Sequence, residues 1–332
     1  MTEAGLYIAG GLLLLLVGGE WLVRGAVGMA KRLQVPTMLI GLTVVAYGTS
    51  APELVVSLHA TLSGHPDVAM GNVIGSNISN ILLVLGVSAC LAPLPVSKRL
   101  LRRDGMFLVL ASVVFTGVAL SGTISRAAGA LLLTLLVLYT LYIMRNTKNA
   151  PEGAQTDGIS LQTPHSDEDD IAEEIAAVHD PLWLTWVISI AGLGALTLGA
   201  HLLVDGASNV ARLFGVSEAV IGVTIVAIGT SLPELMTSVI AACRKHTGLA
   251  IANVIGSNTL NIMGVIGPAA IITPIAVHPQ FQQFDLGVML LVTCAALALA
   301  ARNRCIGRFA GSSMALGFAA YLYAQYYFTY LH

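Results

Sequence analysis

Apolar residues run through this chain in long stretches separated by short polar or charged breaks. Ten such stretches stand out, near 5–30, 37–61, 68–91, 105–121, 126–145, 182–211, 218–243, 249–273, 285–301 and 308–328. They approach or exceed the length of about 20 residues with which an α-helix crosses the hydrocarbon core of a bilayer. The pattern predicts an all-α membrane protein of ten transmembrane helices. The opening residues, MTEAGLYIAGG, lack the basic stretch that precedes a cleaved signal peptide, so the first apolar run is read as a span.

The polar positions inside these runs repeat. GLTVVAYGTSAPELVVSLHATLSGHPDVAMGNVIGSNISNILLVLG (Gly41 to Gly86) matches GVTIVAIGTSLPELMTSVIAACRKHTGLAIANVIGSNTLNIMGVIG (Gly222 to Gly267) at a constant offset of 181, with 24 of 46 positions identical. Upstream, GEWLVRGAVGMAKRLQVPTMLIG resembles AHLLVDGASNVARLFGVSEAVIG at the same offset. Five spans separate equivalent points. Five is odd, so the two halves must cross the membrane in opposite senses, as an inverted pair of five-helix repeats. Secondary transporters are built this way, with the substrate site at the repeat interface. The expected organisation is a first repeat over 1–145, a linker over 146–180 and a second repeat over 181–332.

Composition agrees. With 56% hydrophobic and 10% charged residues and a mean hydropathy of +0.81, an ordinary soluble domain is excluded. A net charge of −2 argues against nucleic-acid binding. Cys90, Cys243, Cys294 and Cys305 show no metal or redox spacing and are read as small apolar fillers. Thirteen of the 16 basic residues fall in or beside the five connections on one side of the membrane. The positive-inside rule makes that side cytoplasmic and puts both termini outside. The linker, Asn146 to Asp180, holds nine of the 18 acidic residues. It lacks the spaced ligands and turn glycine of an EF-hand. A calcium-sensing loop is conceivable, but the composition favours a solvated cytoplasmic linker.

The chemistry lies in the repeated G-T-S-x-P-E. Proline has no N–H and its ring clashes with the carbonyl four residues earlier. Each copy therefore frees backbone carbonyls near Gly48 or Gly229, beside Thr49 and Ser50 or Thr230 and Ser231, with one carboxylate following, Glu53 or Glu234. Irregular backbone at membrane depth is tolerated where it is buried or lines a cavity, and an ionisable group there marks an ion or substrate path. On the next span, Asn72, Ser76 and Asn80 share one helical face, and Asn253, Ser257 and Asn261 repeat the pattern. Such a stripe serves equally as interhelical packing, but its duplication beside a duplicated break favours a site. An all-oxygen donor set with two negative charges suits hard ions such as Ca²⁺ and Na⁺ over Zn²⁺ or copper.

GTSAPE followed by GNVIGSNISN, and GTSLPE followed by ANVIGSNTLN, resemble the paired α-repeats of the calcium/cation antiporter superfamily, in particular its prokaryotic sodium/calcium exchanger branch. The resemblance covers the whole chain. It implies Ca²⁺ ligation by Glu53 and Glu234 with the main-chain carbonyls of Thr49 and Thr230. It implies sodium sites at the hydroxyls of Ser50, Ser231, Ser76 and Ser257 and the carbonyls of Ala46 and Ala227, with Asn80 and Asn261 at the middle. Some members carry aspartate at one or both of these last positions. Two amides here put the sodium stoichiometry and any potassium dependence in question.

The expected function is alternating-access exchange of Ca²⁺ for Na⁺ across the prokaryotic inner or plasma membrane, with small inorganic cations and the bilayer as its only partners. A proton/Ca²⁺ antiporter of the same fold and, more distantly, a passive channel remain open. The chain carries no nucleophile motif, phosphate-binding loop or ATP motif, so neither an enzyme nor a cofactor is expected. Glu20 and Arg24 are expected to pair within the first span. Asp205 is left without a role, His65 and His246 are read as structural or interfacial, and His201, which aligns with Glu20 and could titrate near neutral pH, is given no part in the mechanism. The long spans at 5–30 and 182–211 lack the site motifs and are expected to move against the core.

Overall fold

The computed structural model describes residues 2–148, 181–214 and 227–330. Helix α1 (Thr2–Leu33) is followed by α2 (Thr37–Thr49) and α3 (Ala51–Leu62), a pair bent by 43°. Then come α4 (Pro66–Leu91), strand β1 (Leu94–Pro95), α5 (98–119), strand β2 (Thr123–Ile124) and α6 (Arg126–Lys148). The remainder is α7 (Leu182–Leu213), α8 (Ala227–Thr230), α9 (Leu232–Cys243), α10 (Thr247–Ile272), strand β3 (Ile275–Ala276), α11 (Phe281–Asn303), strand β4 (Cys305–Ile306) and α12 (Arg308–Tyr330). Among the described residues, six helices are long and apolar enough to cross a membrane, or seven if the bent α2–α3 pair is one span. The acidic segment from 149 to 180 and residues 215 to 226 of the second repeat lie outside the described residues.

Two boundaries differ from the sequence reading. The apolar run at 105–121 is preceded by helix from Lys98, because Ser97 caps it: its Oγ accepts the Leu100 N–H at 3.1 Å. Lys98, Arg99, Arg102 and Arg103 therefore lie on the first turns of α5, not in a loop. Arg103 is anchored by Asp104, with Nε to Oδ1 at 2.8 Å, which makes a charged helix start tolerable. Similarly, α11 begins at Phe281, ahead of the run at 285–301.

The most buried elements are those that carry the polar stripes. The apolar window of α10 is 100% buried and that of α4 78%, whereas α1, α6, α7 and α11 are 28 to 33% buried. The outer helices turn residues such as Leu13, Leu138, Ile190 and Leu291 outward, the apolar surface a lipid-facing helix requires.

Contacts between the halves exchange partners at the repeat offset. β1 pairs antiparallel with β4, and β2 with β3. On α1 and α7, glycines recur every seven residues, and a Cβ at Gly18 would stand 2.7 Å from Gly192 O while one at Gly11 would stand 2.8 Å from Gly199 O. Only glycine permits backbones this close, and tight van der Waals contact is what joins helices in a bilayer. Gly86 meets Gly311 and Gly267 meets Gly129 in the same way. The Tyr139 hydroxyl donates to Asp104 Oδ1 at 2.8 Å, and Tyr321 to Asp285 Oδ1 at 3.0 Å. The tight turns match too: Gly64, between α3 and α4, has φ +82, and Lys245, 181 positions later, has φ 63.

Candidate cation site

Each break is built by its proline. Helix α2 stops at Thr49, Ser50 adopts φ −83 and ψ 4, and α3 restarts with Pro52 in its first turn, where a missing N–H leaves no gap. The carbonyl of Gly48 loses the amide that residue 52 would have offered. In the second copy Ser231 adopts φ −87 and ψ 2 ahead of Pro233. The local bonds differ slightly: the Ser50 N–H donates to Ala46 O at 3.0 Å, the Ser231 N–H to Ile228 O at 3.0 Å. Glu53 and Glu234 each stand in the first turn of the restarted helix. There the positive end of the helix dipole favours a carboxylate.

The two breaks meet. Glu53 and Glu234 are both 0% exposed and close enough to interact electrostatically. Ser50 Oγ donates to Glu234 Oε1 at 3.0 Å, a contact across the two copies. Helix α10 fits against the first break because Gly256 leaves room: a Cβ there would lie 2.8 Å from Leu42 O.

Asn80 and Asn261 each open a five-residue stretch of π-helix inside α4 and α10, a local widening that recurs at functional sites. The stretch at Asn80 packs on α9, which carries Glu234, and that at Asn261 packs on α3, which carries Glu53. Buried side-chain atoms are normally hydrogen-bonded. Here both oxygens of Glu53, Oε2 of Glu234, the hydroxyls of Ser76, Ser231 and Ser257, and both amide ends of Asn80 and Asn261 have no protein partner. These unsatisfied atoms are nearly all oxygens and belong to residues singled out by the repeat.

Other expected positions are otherwise engaged. Thr49 Oγ1 bonds Asn253 Oδ1 at 3.3 Å and reaches Ala46 O at 3.5 Å, so the Ala46 carbonyl already accepts two contacts. Thr230 ends the short helix α8, and Ala227 begins it at the edge of the described residues. Asn72 donates to Glu53 O at 3.2 Å and to Ser57 Oγ at 2.9 Å, and Asn253 donates to Ser238 Oγ at 3.1 Å. These two asparagines brace one helix against the next. Ser57 and Ser238 went unnoticed in the sequence, although both occupy the same repeat position and that identity is the signal. Asn258 donates to Asn77 O at 3.2 Å, joining α10 to α4. Among the described residues no group of three or more His, Cys, Asp and Glu side chains gathers in one place, so the site has two carboxylates and otherwise neutral oxygens.

The remaining ionisable groups lie elsewhere. Glu20 meets Arg244 beyond the end of α9, with Oε1 to Nη2 at 2.8 Å, a partner that the sequence did not suggest. His201 and Asp205 pair on α7 at 3.5 Å. His65 and His246 precede the first turns of α4 and α10, at the tips expected of them.

Comparison with known proteins gives one answer. The family described as sodium/calcium exchanger protein matches residues 4–145 and 184–327. The putative antiporter CaxA of Alkalimonas amylolytica is 37% identical over 329 residues, 97% of this chain and 98% of its own length. The inner membrane protein YrbG of Escherichia coli K12 is 37% identical over 320 residues, 96% of this chain and 95% of its own. A crystal of the sodium-calcium exchanger NCX_Mj soaked with 10 mM Na⁺ and 10 mM Sr²⁺ superposes with a TM-score of 0.79 at 32% identity, covering 96% of this chain and 97% of that one.

Proposed function

The chain belongs to the sodium/calcium exchanger protein family, and we propose that it exchanges Ca²⁺ for Na⁺ by alternating access, extruding Ca²⁺ across the inner or plasma membrane. The observation that carries this reading is the meeting of two buried glutamates from two helix breaks, Ser50 of one bonded to Glu234 of the other. Around them is a shell of buried oxygens without protein partners.

The roles follow from charge and donor type. Glu53 and Glu234, with the carbonyls of Thr49 and Thr230, offer a divalent ion two charges and up to six oxygens, the number at which Ca²⁺ coordination begins. Ser50, Ser76, Ser231, Ser257 and the carbonyls of Ala46 and Ala227 offer neutral oxygens for Na⁺, and Asn80 and Asn261 lie between. One Ca²⁺, or two or more Na⁺, neutralises the glutamate pair. A half-loaded site keeps a charge at membrane depth and resists the change of access. Competition for one charge-balanced site is what makes the two fluxes an exchange.

The strand and glycine contacts exchanged between the halves, and the aspartate–tyrosine bond repeated within each, support two inverted five-helix repeats, 1–145 and 181–332. Ten spans follow if α2–α3 and α8–α9 each count as one. Basic residues at the α1–α2, α9–α10 and α11–α12 connections and at the start of α5 support a cytoplasmic side that holds those ends and the 146–180 linker, with both termini outside.

The test is ⁴⁵Ca²⁺ uptake into proteoliposomes under an outward Na⁺ gradient, an outward H⁺ gradient, or neither. Uptake driven by Na⁺ alone is expected. Uptake driven only by the pH gradient would make the protein a proton/Ca²⁺ antiporter, and uptake with neither would make it a channel.

A further inference from the structure

One ion pair joins parts of the molecule that are remote in sequence. Glu20 on α1 meets Arg244, just beyond α9, at 2.8 Å from Oε1 to Nη2 and 3.4 Å from Nε to Oε2. Its place in the repeat makes it one-sided. The counterparts of Glu20 and Arg244 at the 181-residue offset are His201 and Ser63. Serine carries no charge, so these two positions cannot form an equivalent pair. His201 instead lies 3.5 Å from Asp205 on its own helix. Strand pairs, glycine contacts and aspartate–tyrosine bonds all come in matched copies across the repeat, and this ion pair does not.

The pair also lies at the far end of the helix that starts at the site. Helix α9 carries Glu234 in its first turn and ends just before Arg244, so about 15 Å of helix separates the carboxylate from the ion pair. Helix α1 lies along that stretch: a Cβ at Gly19 would stand 3.5 Å from Met236 O. Helices α1 and α7 are bound to each other through their glycines and carry none of the site oxygens.

We propose that Glu20 and Arg244 are positioning residues of the exchange cycle: they fasten α1 to α9 and close the passage between the cation site and the membrane face where the α9–α10 connection lies. This assignment rests on the exchange reading above and adds a resting orientation to it. With that face cytoplasmic, the resting protein presents its site to the outside. Because the counterpart positions, His201 and Ser63, cannot form such an ion pair, the two otherwise similar halves do not hold the two faces equally.

The side chains are 41% and 35% exposed, and an ion pair of this exposure biases a two-state equilibrium by about two- to fivefold. The apparent affinity at each face scales with the population open to it. Full-length protein, inserted in one orientation in phosphatidylethanolamine–phosphatidylglycerol vesicles, is assayed for Na⁺-driven ⁴⁵Ca²⁺ flux, with the half-saturating Ca²⁺ concentration determined at each face. Glu20→Gln and Arg244→Gln should each lower that concentration at the Arg244 face and raise it at the other, changing the ratio of the two by about two- to fivefold. The double variant Glu20→Arg/Arg244→Glu should restore the wild-type ratio. A ratio that stays constant in the single variants, or is not restored in the double, overturns the assignment.

A second readout needs no transport. Ile240, buried where α9 packs on Gly19 of α1, is replaced by the sole cysteine of an otherwise cysteine-free protein (Ile240→Cys) and labelled with a maleimide. Either neutralising variant should label about two- to fivefold faster, and an unchanged rate overturns the clamp. Wild-type vesicles without Na⁺-driven flux would sink the exchange reading instead, with the labelling still deciding on the clamp.

Discussion

Ser50 donates its hydroxyl to Glu234 Oε1 at 3.0 Å, while Ser231, its repeat counterpart, is buried with no partner. The two serines are identical in sequence context and unequal in energy. A hydrogen bond to a charged group contributes about 1.5–3 kcal/mol, whereas removing a buried, unpaired hydroxyl is neutral or favourable. In cation-free protein, Ser50→Ala should therefore lower the thermal midpoint and Ser231→Ala should leave it level or raise it. Both variants should need more Na⁺ for half-maximal exchange, since both hydroxyls are assigned to Na⁺. Equal thermal shifts from the two would contradict the asymmetry.

Glu53→Gln and Glu234→Gln should each abolish Na⁺-driven Ca²⁺ uptake in protein that still folds and inserts. Each keeps the side-chain shape and removes one of two charges facing a divalent ion. Losing a buried charged ligand is worth about 3–5 kcal/mol. A ligand that binds only the folded state raises its stability in proportion to log concentration. The wild type should thus melt at higher temperature as Ca²⁺ is added, and neither variant should respond. A variant that keeps the full Ca²⁺-induced shift would put the ion elsewhere.

The helix breaks, their glutamates and the asparagine stripes were legible in the chain because a proline and a carboxylate in an apolar run are local anomalies, and duplication marked them twice. The pairings were not. Ser50 with Glu234, Thr49 with Asn253 and Glu20 with Arg244 join residues that no spacing rule connects, and a two-residue strand such as β1 is too short to have a period. Asn72 reads like Asn80 in sequence, yet only the fold reveals that Asn72 braces α3 while the amide of Asn80 is left without a protein partner. The early start of α5 was hidden by its charges, which look like a loop until Asp104 is seen beside Arg103.

The glycines of α1 and α7 give a test of packing with its own control. A Cβ at Gly192 would stand 2.6 Å from Leu22 N and 2.7 Å from Gly18 O, while nothing lies within 4 Å of one at Gly194. Overpacking of this kind costs about 1–3 kcal/mol, and alanine is a better helix former than glycine by about 0.5–1 kcal/mol. Gly192→Ala should lower the thermal midpoint and Gly194→Ala should hold or raise it. The reverse order would mean that α1 and α7 are not packed through this stripe.

Transport should be independent of K⁺. The proposed site includes the neutral amides of Asn80 and Asn261, whose four polar atoms all lack a protein partner, and, among the described residues, two carboxylates, Glu53 and Glu234. A K⁺ bound together with Ca²⁺ would leave one positive charge uncompensated. The penalty for such a charge in a low-dielectric interior is several kcal/mol even after relaxation, so the doubly charged site matches one Ca²⁺ and nothing more. The measurement is Na⁺-driven Ca²⁺ flux in vesicles with K⁺ replaced by choline and the membrane potential clamped. The flux should be unchanged. Asn261→Asp supplies the missing carboxylate and should introduce either a K⁺ requirement or a shift in the number of Na⁺ exchanged per Ca²⁺. Loss of wild-type flux in choline would mean that a further negative group reaches the site, and the count of two carboxylates would have to be abandoned.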